Sequence, residues 1–197
     1  MGGSMSSVII TGDTSGAITL AAPAVSGTNT ITLPANTGTA ITTASTAVVT
    51  QAMLSTNVAG NGPAFTAYRS GNQNISQNTY TKVQFNAETF DTNSNFDSTT
   101  NYRFTPTTAG YYQLNGQIQF NTSGTVLIIA IYKNGTQAQA STLAATVGAG
   151  SMVSISSLVS ANGSSDYFEI FAYSDNASPQ INSTTNTYFS GFLARAA

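Results

Sequence analysis

The chain reads as an all-β protein, a sandwich or jelly roll behind an extended β-rich N-terminal segment, built to associate with copies of itself. Three observations carry this. Residues 111–120 alternate cleanly: Tyr112, Leu114, Gly116, Ile118 and Phe120 share one face, and Tyr111, Gln113, Asn115, Gln117 and Gln119 share the other. Period-two alternation of that length marks a half-buried antiparallel strand. Eight short apolar or aromatic runs follow residue 62 with turn-rich segments between them and no helical periodicity, the pattern of a sandwich or jelly roll. Two of those runs, 126–133 and 188–193, are apolar on both faces. One face of an antiparallel sandwich should be wet, so a loop or another subunit must cover the second face.

In order, residues 1–7 are a flexible start and 8–59 form a first β-rich block. Within it, Ile-Thr recurs at Ile18, Ile31 and Ile41, punctuated by Gly16, Gly27, Pro34 and Gly38. Thr, Val, Gly and Pro disfavour helix, so short strands joined by turns are expected. The spacing is too irregular for a solenoid. The apolar residues come two or three at a time, too few to bury a face within one copy. Their β-branched content and low charge argue against disorder, so intertwined identical copies supply the missing core. Residues 44–58 are the one stretch read as a short helix, with Val48, Met53 and Leu54 near one face. Ala59-Gly60-Asn61-Gly62 holds the boundary, with 60–62 as linker.

Residues 63–197 then form one β domain, with strands expected over 64–68, 81–87, 102–104, 111–120, 126–133, 152–159, 167–173 and 187–195. Turns are expected over 70–78, 91–101, 134–135, 148–150, 162–165 and 174–185. The Leu127, Ile129 and Ile131 face, with Phe189 and Leu193 of the closing strand, supplies the expected contacts between chains.

Composition narrows function. Only 6% of the residues are charged, against about 25% in an ordinary globular domain, so Thr, Ser, Asn, Gln and Gly must carry solubility. Asp13 is the only charge before Arg69, and none lies between Lys133 and Asp166. A net charge of −2 without a basic cluster gives nucleic-acid binding no footing. No stretch approaches the roughly 20 apolar residues of a membrane span. Cys, His and Trp are all absent, which removes thiolate sites, disulfides and every His-dependent catalytic arrangement. The start lacks a charged n-region and a long apolar h-region, so no Sec-type signal peptide is expected.

Four segments carry a family resemblance. Pro63-Ala64-Phe65-Thr66-Ala67 is similar to the first strand of C1q-like domains. Tyr102-Arg103-Phe104-Thr105-Pro106 leads into Ala109-Gly110-Tyr111-Tyr112, like that family's Phe-x-Pro-x-x-x-Gly-x-Tyr element. Residues 126–133 with Asn134-Gly135 resemble its middle strand and hairpin, and Tyr188-Phe189-Ser190-Gly191-Phe192-Leu193 its closing strand. The resemblance implies a C1q/TNF-like jelly roll assembled as a homotrimer. No collagen-like Gly-X-Y precedes the domain. The first block instead resembles the Gly/Thr-rich leaders of bacteriophage virion proteins, as in residues 18–25 and 28–34.

Three chemistries suit the residues present. Glu88, Asp91 and Asp97, and separately Asp166, Glu169 and Asp175, are local carboxylate groups; a glycosidase needs two of them opposed across a sugar. Asp91, Asn93, Asn95 and Asp97 alternate hard oxygen ligands and make a calcium candidate, though without the Gly and terminal Glu positions of an EF-hand loop. Tyr68, Tyr80, Tyr102 and Tyr173 near loop ends are the candidate glycan contacts. The combined expectation is a non-enzymatic, homotrimeric phage virion protein, either a capsid decoration (cement) protein or a short tail-fibre knob. Its partners would be itself, a major capsid or tail protein, and a host-surface glycan or protein. A glycan-cleaving tail protein and a secreted C1q-like ligand-binding protein are the alternatives.

Overall fold

The computed structural model describes residues 7–11, 17–21, 60–183 and 185–197. The chain divides into two units, Met1–Ser45 and Thr46–Ala197. In the first, β1 (Ser7–Thr11) pairs antiparallel with β2 (Ala17–Ala21), placing Val8 opposite Leu20 and Ile10 opposite Ile18. The Ile18-Thr19-Leu20 run is therefore a strand, as its β-branched residues lead one to expect. The runs at Ile31 and Ile41 and the helix expected over 44–58 lie outside the described residues.

The second unit holds β3 (Ala64–Tyr68), β4 (Gln73–Asn74), β5 (Thr81–Lys82), β6 (Ala87–Asp91), β7 (Phe96–Asp97), β8 (Arg103–Phe104), β9 (Gly110–Gln119), β10 (Gly124–Lys133), β11 (Thr136–Val147), β12 (Met152–Ala161), β13 (Phe168–Ser174), β14 (Gln180–Ile181) and β15 (Tyr188–Ala196). One sheet runs β11-β10-β13-β8-β7, with β5 also on β13; the other runs β12-β9-β15-β3-β6; β4 and β14 form a two-stranded ribbon. This is an antiparallel jelly roll. Tyr112, Leu114 and Ile118 of β9 turn inward and are fully buried, while its Gln and Asn residues turn outward, as the alternation predicts.

Two elements depart most from expectation. The strand expected over 81–87 is broken: β5 lies in the first sheet and β6 in the second. Between them Val83 and Phe85 are fully buried where the chain crosses from sheet to sheet. Alternation persists through the crossover because the core lies on one side throughout, so it reads as a single strand. The twelve-residue β11 had no predicted counterpart. It is an exposed edge strand of small and polar residues in which only Leu143 and Val147 pack on the core, too few to set a period. Its hairpin with β10 turns on Asn134 and Gly135, with φ of 53° and 79°. Positive φ at both central residues is what an Asn-Gly turn provides.

The sheets are joined by aromatic rings. Phe65 of β3 stacks on Phe104 of β8 at 4.3 Å and on Phe96 of β7 at 5.1 Å, and Phe189 of β15 meets it edge-on at 5.0 Å. Gly191 explains part of the closing motif. A Cβ there would lie 2.5 Å from Leu114 Cδ2 and 3.0 Å from a Phe65 ring carbon. Glycine is required because the neighbouring side chains fill that space. At the entrance to β9 the buried Tyr112 hydroxyl donates to the Thr108 carbonyl at 2.7 Å, tying the strand to the turn before it.

Gly191→Ala is expected to cost about 1–3 kcal/mol by overpacking, read by urea denaturation, whereas Ser190→Ala on the outward face stays within about 0.5 kcal/mol. Burial pushes the Tyr112 phenol up from 10.0 to about 12. The unfolded chain therefore ionises first, and stability falls as pH rises across that window. Tyr112→Phe should flatten this alkaline slope while lowering stability at neutral pH by about 1 kcal/mol for the lost hydrogen bond.

Candidate functional site

The loop from β6 to β8 carries the calcium candidates, and its oxygens are already engaged. Asp91 accepts from the Asn93 and Phe96 backbone amides at 3.3 and 2.7 Å. The buried Asn95 side chain donates to the Asn93 carbonyl and accepts from the Thr107 amide. Asp97 accepts from the backbone amides of Thr100, Thr99 and Asn101 at 2.9, 2.9 and 3.0 Å, and from the Asn101 side chain at 2.7 Å. The amide of Thr100 foremost, then those of Thr99 and Asn101, hold Asp97 well below the usual carboxylate range. Asp91 and Asp97 act as turn anchors. Among the described residues no three His, Cys, Asp or Glu side chains gather at one metal-sized point.

The carboxylates considered for glycan cleavage are dispersed. Asp166 and Asp175 flank opposite ends of the seven-residue β13, which spans roughly 20 Å at about 3.3 Å per residue. Glycosidase pairs stand about 5–9.5 Å apart. Asp166 pairs with Lys133 at 2.9 Å, Glu169 with Lys82 at 2.5 Å, and Asp175 accepts from Thr125 and Val126. Glu88 is exposed on the other sheet. Two of the candidate tyrosines converge: Tyr80 and Tyr173 lie 5.3 Å apart, joined by Tyr132 and Phe171, whose rings stack at 4.0 Å. Tyr68 lies in the other sheet, opposite Tyr188, and Tyr102 sits in the turn before β8 with φ of 51°.

The expected inter-chain contacts are corrected. Leu127, Ile129, Ile131 and Phe189 are fully buried within one chain and Leu193 nearly so, because both strands turn these faces toward the opposite sheet. The second face of β10 is only partly covered within the chain: Ala130 is buried, while Val126, Ile128 and Tyr132 are half-buried, Tyr132 beside the rings of Phe171 and Tyr80.

The most exposed large apolar side chains are elsewhere. Phe90, Tyr111, Met152, Leu158 and Phe192 are 45–60% exposed, and all belong to the β12-β9-β15-β3-β6 sheet. Leu158, Gln113 and Phe192 form one outward row across β12, β9 and β15; Ser156, Asn115 and Ser190 form the next. The polar groups of these rows bond to each other, with Gln113 donating to Ser156 and Ser156 to Asn115, both at 2.9 Å. Of the described outward side chains on these three strands, Arg195 alone is charged. Sequence reasoning passed over Met152 and Leu158, although phase identifies them: they alternate in step with Ser154, Ser156 and Ser160, hence on the wet side.

A second concave feature lies at one end of the sandwich, an open groove of about 610 Å³ between the Asn74–Gln77 and Ala177–Gln180 segments and Thr122. Gln180 is the hub of its wall. Its side-chain carbonyl accepts from Asn72 and Asn121 at 3.0 and 2.9 Å, and its amide donates to Asn74 at 2.7 Å.

If the β6–β8 loop anchors itself, a calcium chelator leaves the thermal midpoint unchanged while Asp97→Ala lowers it in calcium-free buffer. Because the folded Asp97 value is depressed, its contribution is present above the ordinary carboxylate range and is lost as pH falls toward the lowered value. Asp97→Asn should therefore flatten the acid arm of the stability profile.

With this geometry in hand, comparisons with known proteins are specific. No curated protein sequence matches the chain. Among solved structures, the globular domain of zebrafish complement 1qA matches with a TM-score of 0.51 and 17% identity, over 68% of this chain and 99% of that one. Murine APRIL matches with a TM-score of 0.53 and 10% identity, over 66% and 96%. The PRD1 vertex protein P5 matches with 0.52 and 14%, also over 66% and 96%. At these identities each likeness establishes the fold. The C1q domain family model matches residues 64–194, from the first strand of the jelly roll through nearly all of its last. By that match across most of its length, this chain belongs to the C1q domain family.

Proposed function

We propose that this chain is a non-enzymatic, homotrimeric structural protein of a phage virion, presenting its C1q domain as a knob. The observation that carries the reading is the outward face of β12, β9 and β15, where large apolar side chains stand among uncharged polar groups. Exposed apolar clusters on a sheet mark interaction surfaces. Polar groups already bonded to one another lower the desolvation cost of covering such a face.

The edge beside it supports the same reading. Among the described residues β11 has a strand partner on one side only, and its other edge runs twelve residues with no charge and no proline; natural proteins usually protect such edges or cover them. The stretch between Lys133 and Asp166, which includes β11 and β12, carries no charge at all. A neutral edge against a neutral face is a contact that can repeat around a threefold axis, each copy giving its edge and receiving on its face.

Residues 8–59 would bind a major capsid or tail protein, and the C1q domain would meet a host-surface glycan or protein, with weak contacts multiplied by trimer avidity. The likeness to the PRD1 vertex protein P5 supports a virion role. The similarity to the complement domain favours a secreted ligand-binding protein as the second reading. Native mass spectrometry followed by imaging of purified particles with labelled protein separates the two.

Leu158→Asp and Phe192→Asp are each expected to convert a trimer into folded monomers. Both side chains are about half exposed, so circular dichroism should be unchanged while the sedimentation coefficient falls. A wild-type protein that stays a single folded chain on dilution and at high concentration would end the trimer reading.

A further inference from the structure

We propose that the groove at the end of the sandwich away from Pro63 is a binding site for neutral glycans. This rests on the host-facing role proposed above and names the ligand class. The topology gives the location. β3 leaves Pro63, whose carbonyl accepts from the Leu193 amide at 3.0 Å, and finishes at Tyr68 opposite Tyr188, the first residue of β15. β9 finishes at the same end, and Phe120 just beyond it bridges to Ile181. The groove lies in the loops there, at the end of the domain remote from the point where the preceding chain joins it.

Its lining decides the chemistry. None of the nine lining residues is charged. That disfavours phosphates and acidic sugars, which call for Arg or Lys, and cations, which call for carboxylates. The nearby Asp175 is turned to Thr125 and Val126. What remains is a set of amides and hydroxyls (Asn74, Gln77, Thr122, Ser178) beside the small apolar surfaces of Ile75 and Pro179. A pyranose presents the matching pattern, a rim of hydroxyls that donate and accept around an apolar C–H face. The volume of about 610 Å³ falls within the range of roughly 300–1,000 Å³ usual for small-ligand clefts.

The site is also held in shape. Asn74 accepts from Gln180, which leaves the Asn74 amide hydrogens to donate outward. Gln77 donates to the Asp175 carbonyl at 2.9 Å, leaving its own carbonyl oxygen to accept. The Ile75 amide donates to the Pro179 carbonyl at 3.0 Å and the Asn121 amide to the Gln180 carbonyl at 2.8 Å, so the walls are cross-braced through the backbone. Side chains fixed in advance lose less entropy when a ligand arrives. The tyrosine cluster is a poorer sugar platform, since Tyr132 and Phe171 stack on one another and the Tyr173 hydroxyl is tied to Asn78.

The test applies the intact protein to an array of immobilised neutral and acidic oligosaccharides, with retained sugars quantified by saturation-transfer NMR. Neutral oligosaccharides should be retained. The double variant Asn74→Ala, Gln77→Ala and the groove-filling Ser178→Trp should each lose at least about tenfold in affinity, while Tyr80→Ala binds as the wild type does. Retention of acidic sugars alone, loss in Tyr80→Ala with the groove variants unaffected, or no retention by the wild-type protein would each overturn the assignment. A trimer located on particles that retains no neutral sugar overturns the groove alone. A protein absent from particles that still binds through the groove overturns the virion reading alone.

Discussion

The jelly roll depends on the contact between its two sheets at the Phe65 ring. Phe65 lies on β3, and the rings it stacks on, Phe96 and Phe104, come from β7 and β8, each only two residues long. Strands that short have little ladder of their own to hold them. The stacked rings hold that edge of the first sheet against the second, and Phe189 closes the cluster edge-on. Gly191 follows from the same packing, since the space its side chain would need holds Leu114 and the Phe65 ring. Offset and edge-on aromatic pairs contribute about 0.5–1.5 kcal/mol each beyond their buried area, enough to set the position of a two-residue strand.

A chain so poor in charge must organise its loops by other means. Four of its seven acidic residues cap loops, among them Asp91 and Asp97 between β6 and β8 and Asp175 after β13. Asp166 does the same between β12 and β13, where it accepts from Asn134 and the Asn162 amide and pairs with Lys133. Elsewhere side-chain amides take this role, with Gln180 joining Asn72, Asn74 and Asn121. With most of its described acidic side chains engaged in turns or ion pairs, the surface is left largely to uncharged polar and apolar groups. That is why the end groove carries no charge and the sheet face of β12, β9 and β15 carries only Arg195, which suits the proposed partners, a second copy and a neutral sugar.

Much of the fold was legible in local pattern. The alternation in β9 placed its buried and wet faces correctly because a half-buried strand writes both faces into one run. β11 was illegible because an edge strand exposed on both sides has no reason to alternate. The 81–87 run misled because inward alternation continues through Val83 and Phe85 while the hydrogen-bonding partner changes. The site residues divided in the same way. Tyr80 and Tyr173 could be picked out by type, but Tyr132 and Phe171, which complete their cluster, read as ordinary strand residues. Leu127, Ile129 and Ile131 were assigned outward because a strand apolar on both faces does not say which face meets the core.

The sequence by itself determined the class of fold, the turn at Asn134-Gly135 and the scarcity of charge on the surface. These are properties of single runs, set by side-chain period, backbone φ and charge count. Tertiary structure alone decided which apolar residues are left over and which loops meet. The sheet face joins Leu158 to Phe192 and the groove joins Asn74 to Gln180, residues far apart in the chain that become neighbours only through antiparallel pairing and loop closure.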